Sequence, residues 1–152
     1  MGHEIGFDQV SVRFGRTQAL SDVTTTIIGD AVTGLVGRNG SGKTTLLRVA
    51  AGRELRHNGR VRLDNLPATT PGLVHLAGDA WPWAADQSIA SMAGHAARFH
   101  PGFSAAALDA HLTRFGLTSQ ARVSSLSRGQ GSAARCAIAL ASRAPVTLLD
   151  EP

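Results

Sequence analysis

The chain has 152 residues, 43% of them hydrophobic and 17% charged, with a formal net charge of +4. That length supports a single globular domain with a real core. No apolar run approaches the roughly 20 residues of a membrane span, a single cysteine excludes an internal disulfide framework and fits a reducing compartment, and the start MGHEIGFDQ shows no secretory pattern.

In chain order, Ile5 to Phe14 alternates apolar and polar residues over much of its length and predicts a half-buried strand. Gly15-Arg16 reads as a turn, and the β-branched stretch Ala19 to Ile28 as a second strand. Val32 to Val36 is a short apolar run that predicts a third strand, followed by a glycine loop and a helix from Lys43 to Ala51 ended by Gly52. Gly59 to Asn65 predicts a strand ending in a turn, and Leu73 to Leu76 another within a longer loop. From about Asp86 to Leu117 the pattern is helical and alanine-rich, with a break at Pro101-Gly102. Ala105, Leu108, Leu112 and Phe115 fall at helical spacing and are expected in the core. Gln130 to Ala141 predicts a further helix, and Val146 to Leu149 an apolar strand. Together these predict one α/β domain with a helical insert.

Three motifs carry chemistry. Gly37-Arg38-Asn39-Gly40-Ser41-Gly42-Lys43-Thr44 fits the phosphate loop G-x-x-x-x-G-K-[ST], the Walker A motif. Its glycines let successive backbone N–H groups converge on phosphate oxygens, and the following helix aims its positive end at the same anion. Lys43 is the only lysine among fifteen basic residues, placed where a flexible point charge serves the β- and γ-phosphates. Thr44 offers a hydroxyl to Mg²⁺. Val146 to Glu151 has the Walker B form, a mostly apolar stretch of four residues and then two carboxylates. Asp150 would reach Mg²⁺, and Glu151 would accept a proton from an attacking water. Leu126-Ser127-Arg128-Gly129-Gln130 precedes a helix and, read alone, is a helix cap. The other arginines, including Arg53, Arg56, Arg60 and Arg62, read as a solvated face, and no specific nucleic-acid partner is expected. A metal site at His95 and His100 is disfavoured against surface or packing roles.

LSRGQ resembles the LSGGQ signature of ABC-type ATPases, and GRNGSGKTTLL and LLDEP resemble that family's P-loop and Walker B phrases in the same order. The resemblance covers essentially the whole chain. It implies a P-loop NTPase (RecA-like) fold: a parallel core with N-terminal antiparallel strands and P-loop over 1–78, a helical subdomain over 79–128, and signature helix and Walker B strand over 129–152. It implies ATP and Mg²⁺ as ligands, with the P-loop through Thr45 and an aromatic at Phe14 around the nucleotide, although Phe14 fits a core position equally well. Ser127, Arg128, Gly129 and Gln130 would meet the ATP held by a second ABC ATPase subunit. A separate transmembrane permease would hold the protein on the cytoplasmic face of the membrane, and Trp81-Pro82-Trp83 is either an anchor at that contact or core.

The chain departs from the family pattern in four ways. Arg128 replaces a glycine, Ala133 a basic residue, and Ala77 or Gly78 stands where a γ-phosphate-sensing glutamine is usual. None of the six histidines follows Walker B, where the switch histidine belongs, so the parallel core is expected to be incomplete at its C-terminal end and the chain poorly stable alone or a fragment. The stretch FHPGF…LTRFGL…LSRGQ looks most like export-type ATPases. Rival readings are a nucleotide-binding module without turnover and an ATPase acting on nucleic acid or ribosomes.

Overall fold

The computed structural model describes residues 3–29, 31–78 and 86–150. They fall into two compact units, Met1–Val74 and His75–Pro152.

In the first unit, strands β1 (Glu4–Phe14), β2 (Thr17–Ile28), β3 (His57–Leu63) and β4 (Leu66–Pro67) form an antiparallel sheet in the order β2-β1-β3-β4. The alternation of β1 changes phase midway. Ile5 and Phe7 are buried, then Val10 and Val12, so the inward set moves from odd to even positions. The pairing with β2 shifts between Phe7 and Val10, and Gln9 takes φ 51° there. A bulge of this kind adds one residue to β1, which keeps both halves of the strand apolar side inward. Helix α1 (Lys43–Ala50) packs on β2 and β3 and buries Val49 and Ala50.

The expected strand at Val32–Val36 does not form. Residues 32–38 carry no strand assignment and are exposed, with Val32 at 104% and Val36 at 93% of full accessibility. An apolar run becomes a strand only when a neighbour completes its hydrogen-bond ladder, and no described segment pairs with this one.

The second unit holds all but the first residue of β5 (Val74–Ala77), which forms a two-stranded parallel sheet with β6 (Val146–Leu149), and the helices α2 (Ile89–Phe99), α3 (Ala105–Arg114) and α4 (Arg128–Ala141). Ser88 caps α2 and Ser104 caps α3 through their hydroxyls. Ile89, Met92, Leu108, Leu112, Leu117, Ala134, Ala137 and Ile138 make the core of this unit. Leu108 and Leu112 are therefore core as expected, but Ala105 and Phe115 are exposed. These two flank a helix with a narrow buried face. Ala105 opens the first turn and Phe115 is the C-cap, beyond the i, i+4 pair that meets α4.

Candidate functional site

The loop 37–42 leads into α1 through two glycines in the left-handed region, Gly40 at φ 79° and Gly42 at φ 92°. Gly42 has a second reason to lack a side chain. A Cβ there would lie 2.5 Å from the Ala19 carbonyl oxygen and 2.9 Å from Leu20 on β2. The loop thus lies tight against the sheet, and a Cβ on Gly37 would also come within 2.7 Å of Ser41 Oγ.

The start of α1 is open. Its first helical hydrogen bond runs from the Leu46 N–H to the Gly42 carbonyl at 2.8 Å. Among the described residues no side chain caps the end, and the first turn has no acidic residue. The N–H groups of Gly42, Lys43, Thr44 and Thr45 therefore precede the first helical bond, at the positive end of the helix dipole. Lys43 turns back over the loop, with Nζ donating to the carbonyl oxygens of Gly37 at 2.8 Å and Arg38 at 3.0 Å. Open N–H groups, an ammonium and a close-fitting glycine turn form a cradle for phosphate oxygens. Arg38, Asn39 and Ser41 are exposed within it.

Phe14 ends β1 in the same unit. It is 41% exposed and so not a core residue, which leaves its ring available for stacking.

In the second unit, β6 delivers Asp150, 8% exposed, with its backbone N–H donating to the Ala77 carbonyl at 2.9 Å. Ala77 thus ends β5 beside the acidic residue. Neither Ala77 nor its neighbour Gly78 carries a polar side chain, and a Cβ at Gly78 would meet nothing within 4 Å among the described residues. Glu151, Asp79 and Trp81-Pro82-Trp83 lie outside the described residues.

Ser127 is the N-cap of α4, which starts at Arg128, two residues before the sequence suggests. Its hydroxyl accepts from the Gln130 N–H at 3.3 Å, while Gln130 Oε1 accepts from the Ser127 N–H at 2.9 Å. This reciprocal capping box satisfies two of the four orphan N–H groups of the helix. Those of Arg128 and Gly129 stay open among the described residues. A Cβ on Gly129 would meet nothing within 4 Å among the described residues, so their packing does not require glycine there.

His100 has a histidine partner in His75 on β5. His75 Nδ1 and His100 Nε2 are 3.0 Å apart. Among the described residues no three ligands gather for a metal. The pair joins residues 25 apart in sequence, which no local pattern reveals. Cys136 is half-buried on α4, and burial raises its thiol against the opposing charge of Arg135.

The family profile for the ABC transporter matches residues 20–152. This chain belongs to the ABC transporter family. Among its relatives, the sulfate/thiosulfate import ATP-binding protein CysA of Photorhabdus laumondii is 46% identical over 57 residues, 38% of this chain and 16% of that protein. The taurine import ATP-binding protein TauB of Mesorhizobium japonicum is 32% identical over an alignment of 153 residues, covering 95% of this chain and 60% of that one. The chain thus spans 60% or less of these ABC relatives. A putative ABC transporter ATP-binding protein of Pyrococcus furiosus superposes with a TM-score of 0.80 at 22% identity, covering 98% of this chain and 76% of that one. A bacterial Atm1-family ABC exporter with ATP bound gives 0.77 at 21% identity, over 98% of this chain and 29% of that one. These two likenesses carry the ABC ATPase fold alone. The expected P-loop α/β class therefore holds, with its antiparallel N-terminal sheet and helical segment.

Proposed function

We propose that this chain is the ATP-binding part of an ABC transport subunit that hydrolyses ATP with Mg²⁺. The observation that carries this reading is the start of α1: open N–H groups, no acidic residue, and Lys43 beside them. In this reading Gly37 through Thr45 hold the phosphates and Phe14 stacks on the adenine. Thr44 and Asp150 would hold Mg²⁺, and the buried carboxylate and the hydroxyl suit a hard cation that prefers oxygen ligands. The ion would neutralise charge on the phosphates. Glu151 takes the proton of the attacking water.

Arg128 and Gly129 would offer their open N–H groups to the nucleotide of a second ABC subunit, with Ser127 and Gln130 holding the turn. The absent side chain of Gly129 supports this, because it clears space that no described residue fills. A separate permease would tie the subunit to the inner face of the membrane. Among the described residues no helix is long and apolar enough to cross one. The sequence relatives are named for import, which favours uptake over the export-type reading.

One feature favours binding without turnover. Ala77 or Gly78 would stand where the sensing glutamine is usual, and the Ala77 carbonyl is already used by Asp150. Magnesium-dependent ATP binding and turnover, with Lys43→Ala and Glu151→Gln, separates the two readings. Hydrolysis lost in both variants supports the ATPase, and wild-type binding without hydrolysis supports the silent module. Binding unaffected by Lys43→Ala would remove the phosphate-loop assignment.

A further inference from the structure

On the first unit, Ser11, Arg13, Gln18, Leu55, Arg56, His57 and Asn58 line a recess of about 450 Å³. This volume suits a small ligand. Of its lining, the strand residues Ser11, Arg13, Gln18 and Asn58 lie on the sheet face opposite the core. Ser11 pairs with Asn58 and Arg13 with Gln18, whereas the intervening Val12 is buried. Two guanidiniums reach the recess from separate segments, and each is tethered through Nε alone. Arg13 Nε donates to the Gly15 carbonyl at 3.0 Å, and Arg56 Nε meets Glu54 Oε1 at 3.4 Å. Both Nη groups of each arginine are left without a hydrogen bond among the described residues. Glu54 offsets part of the Arg56 charge, but its carboxylate is already bound by the Arg56 backbone N–H at 2.9 Å. Among the described residues no carboxylate lines the recess itself.

We propose that this recess binds a small phosphate-bearing anion, separately from the phosphate loop, through the Nη forks of Arg13 and Arg56. A guanidinium fork matches two oxygens of one anion. Two forks flanked by a hydroxyl and side-chain amides suit a diphosphate, which has more acceptor oxygens than a single carboxylate. Arg60 and Arg62 share β3 but do not line the recess, so they serve as a control for diffuse charge.

The test is calorimetric titration of pyrophosphate into the Lys43→Ala chain, in which the phosphate loop is weakened. One saturable site is expected to remain. Arg13→Gln and Arg56→Gln, each in the Lys43→Ala background, should weaken it by about tenfold or more, and Arg13→Lys should weaken it although the charge is kept. Arg60→Gln with Arg62→Gln should change it less than about twofold. Both target arginines are exposed, and far-UV circular dichroism checks that the fold is kept. The proposal is overturned if no saturable binding remains in Lys43→Ala, or if the Arg60/Arg62 control weakens binding as much as Arg13→Gln. Neither result bears on ATP binding by the wild-type loop, which is measured separately.

Discussion

Helices α1 and α4 begin in opposite ways. α4 closes its own N-terminus, with Ser127 and Gln130 satisfying each other's backbone and leaving two N–H groups open. α1 begins at a left-handed glycine, takes no side-chain cap and carries Lys43 where an acidic residue would be stabilising. A helix start without a cap forgoes roughly 1 kcal/mol. At α1 that cost coincides with a glycine turn fitted against β2, and the resulting cradle is complete within one unit. At α4 the cap stabilises the helix, and only Arg128 and Gly129 have N–H groups left for an external anion. The same motif vocabulary, glycine and a hydroxyl at a helix start, thus gives an uncapped glycine turn with a lysine in one place and a capped turn with two spare donors in the other.

The largest effect expected from breaking this contrast is at Lys43. Lys43→Ala should weaken ATP binding about 100-fold, roughly the loss of one charge-assisted hydrogen-bonding group, measured by nucleotide titration, with little change in the urea midpoint. Gly42→Ala comes next, because it combines φ 92° with a Cβ 2.5 Å from the Ala19 carbonyl. We expect about 1–3 kcal/mol of destabilisation together with weaker ATP binding, read from urea unfolding and titration. Ser127→Ala should cost about 1 kcal/mol in the same unfolding experiment and leave ATP binding by the isolated chain unchanged. Gly129→Ala should be neutral or stabilising by up to about 1 kcal/mol, while lowering any turnover that depends on a second subunit.

The smallest effect is at the start of β1. The His3 ring, and then the Glu4 N–H, hold the Asp64 carboxyl below its ordinary value of 3.8. A lowered folded-state value gives stability that is present above pH 3.8 and lost as pH falls through the folded-state pKa. The urea midpoint of Asp64→Asn should therefore lie slightly below that of the wild type at pH 6, with the gap closing below pH 3.8. A constant gap would show that the interaction does not depend on charge.

What the sequence reveals follows the range of the interactions. The limits of β1 and α1, the strand at Val146–Leu149 and the Lys43 loop are set by neighbours in the chain, and local patterns found them within a few residues. The capping box at Ser127 was legible as a cap for the same reason. Val32–Val36 misled because an apolar run shows β propensity but not whether a ladder partner exists. The phase change at Gln9 was hidden because a bulge alters the register by one residue without altering composition. Ala105 and Phe115 have helical spacing, but a periodic pattern does not show where the contact with α4 stops. The His75–His100 pair and the Arg13–Arg56 recess join residues far apart in sequence, so only the pairing of β5, α2 and the sheet strands brings them to light.

The central claim is that the start of α1 binds phosphate by itself and the start of α4 does not. Its most direct test follows backbone amide resonances in the isolated chain during an ATP titration, at a concentration where the chain is monomeric. The account predicts large, saturable shifts at Gly42, Lys43, Thr44 and Thr45 and none at Arg128 and Gly129. Comparable shifts at both helix starts, or shifts at Arg128 and Gly129 alone, would contradict it.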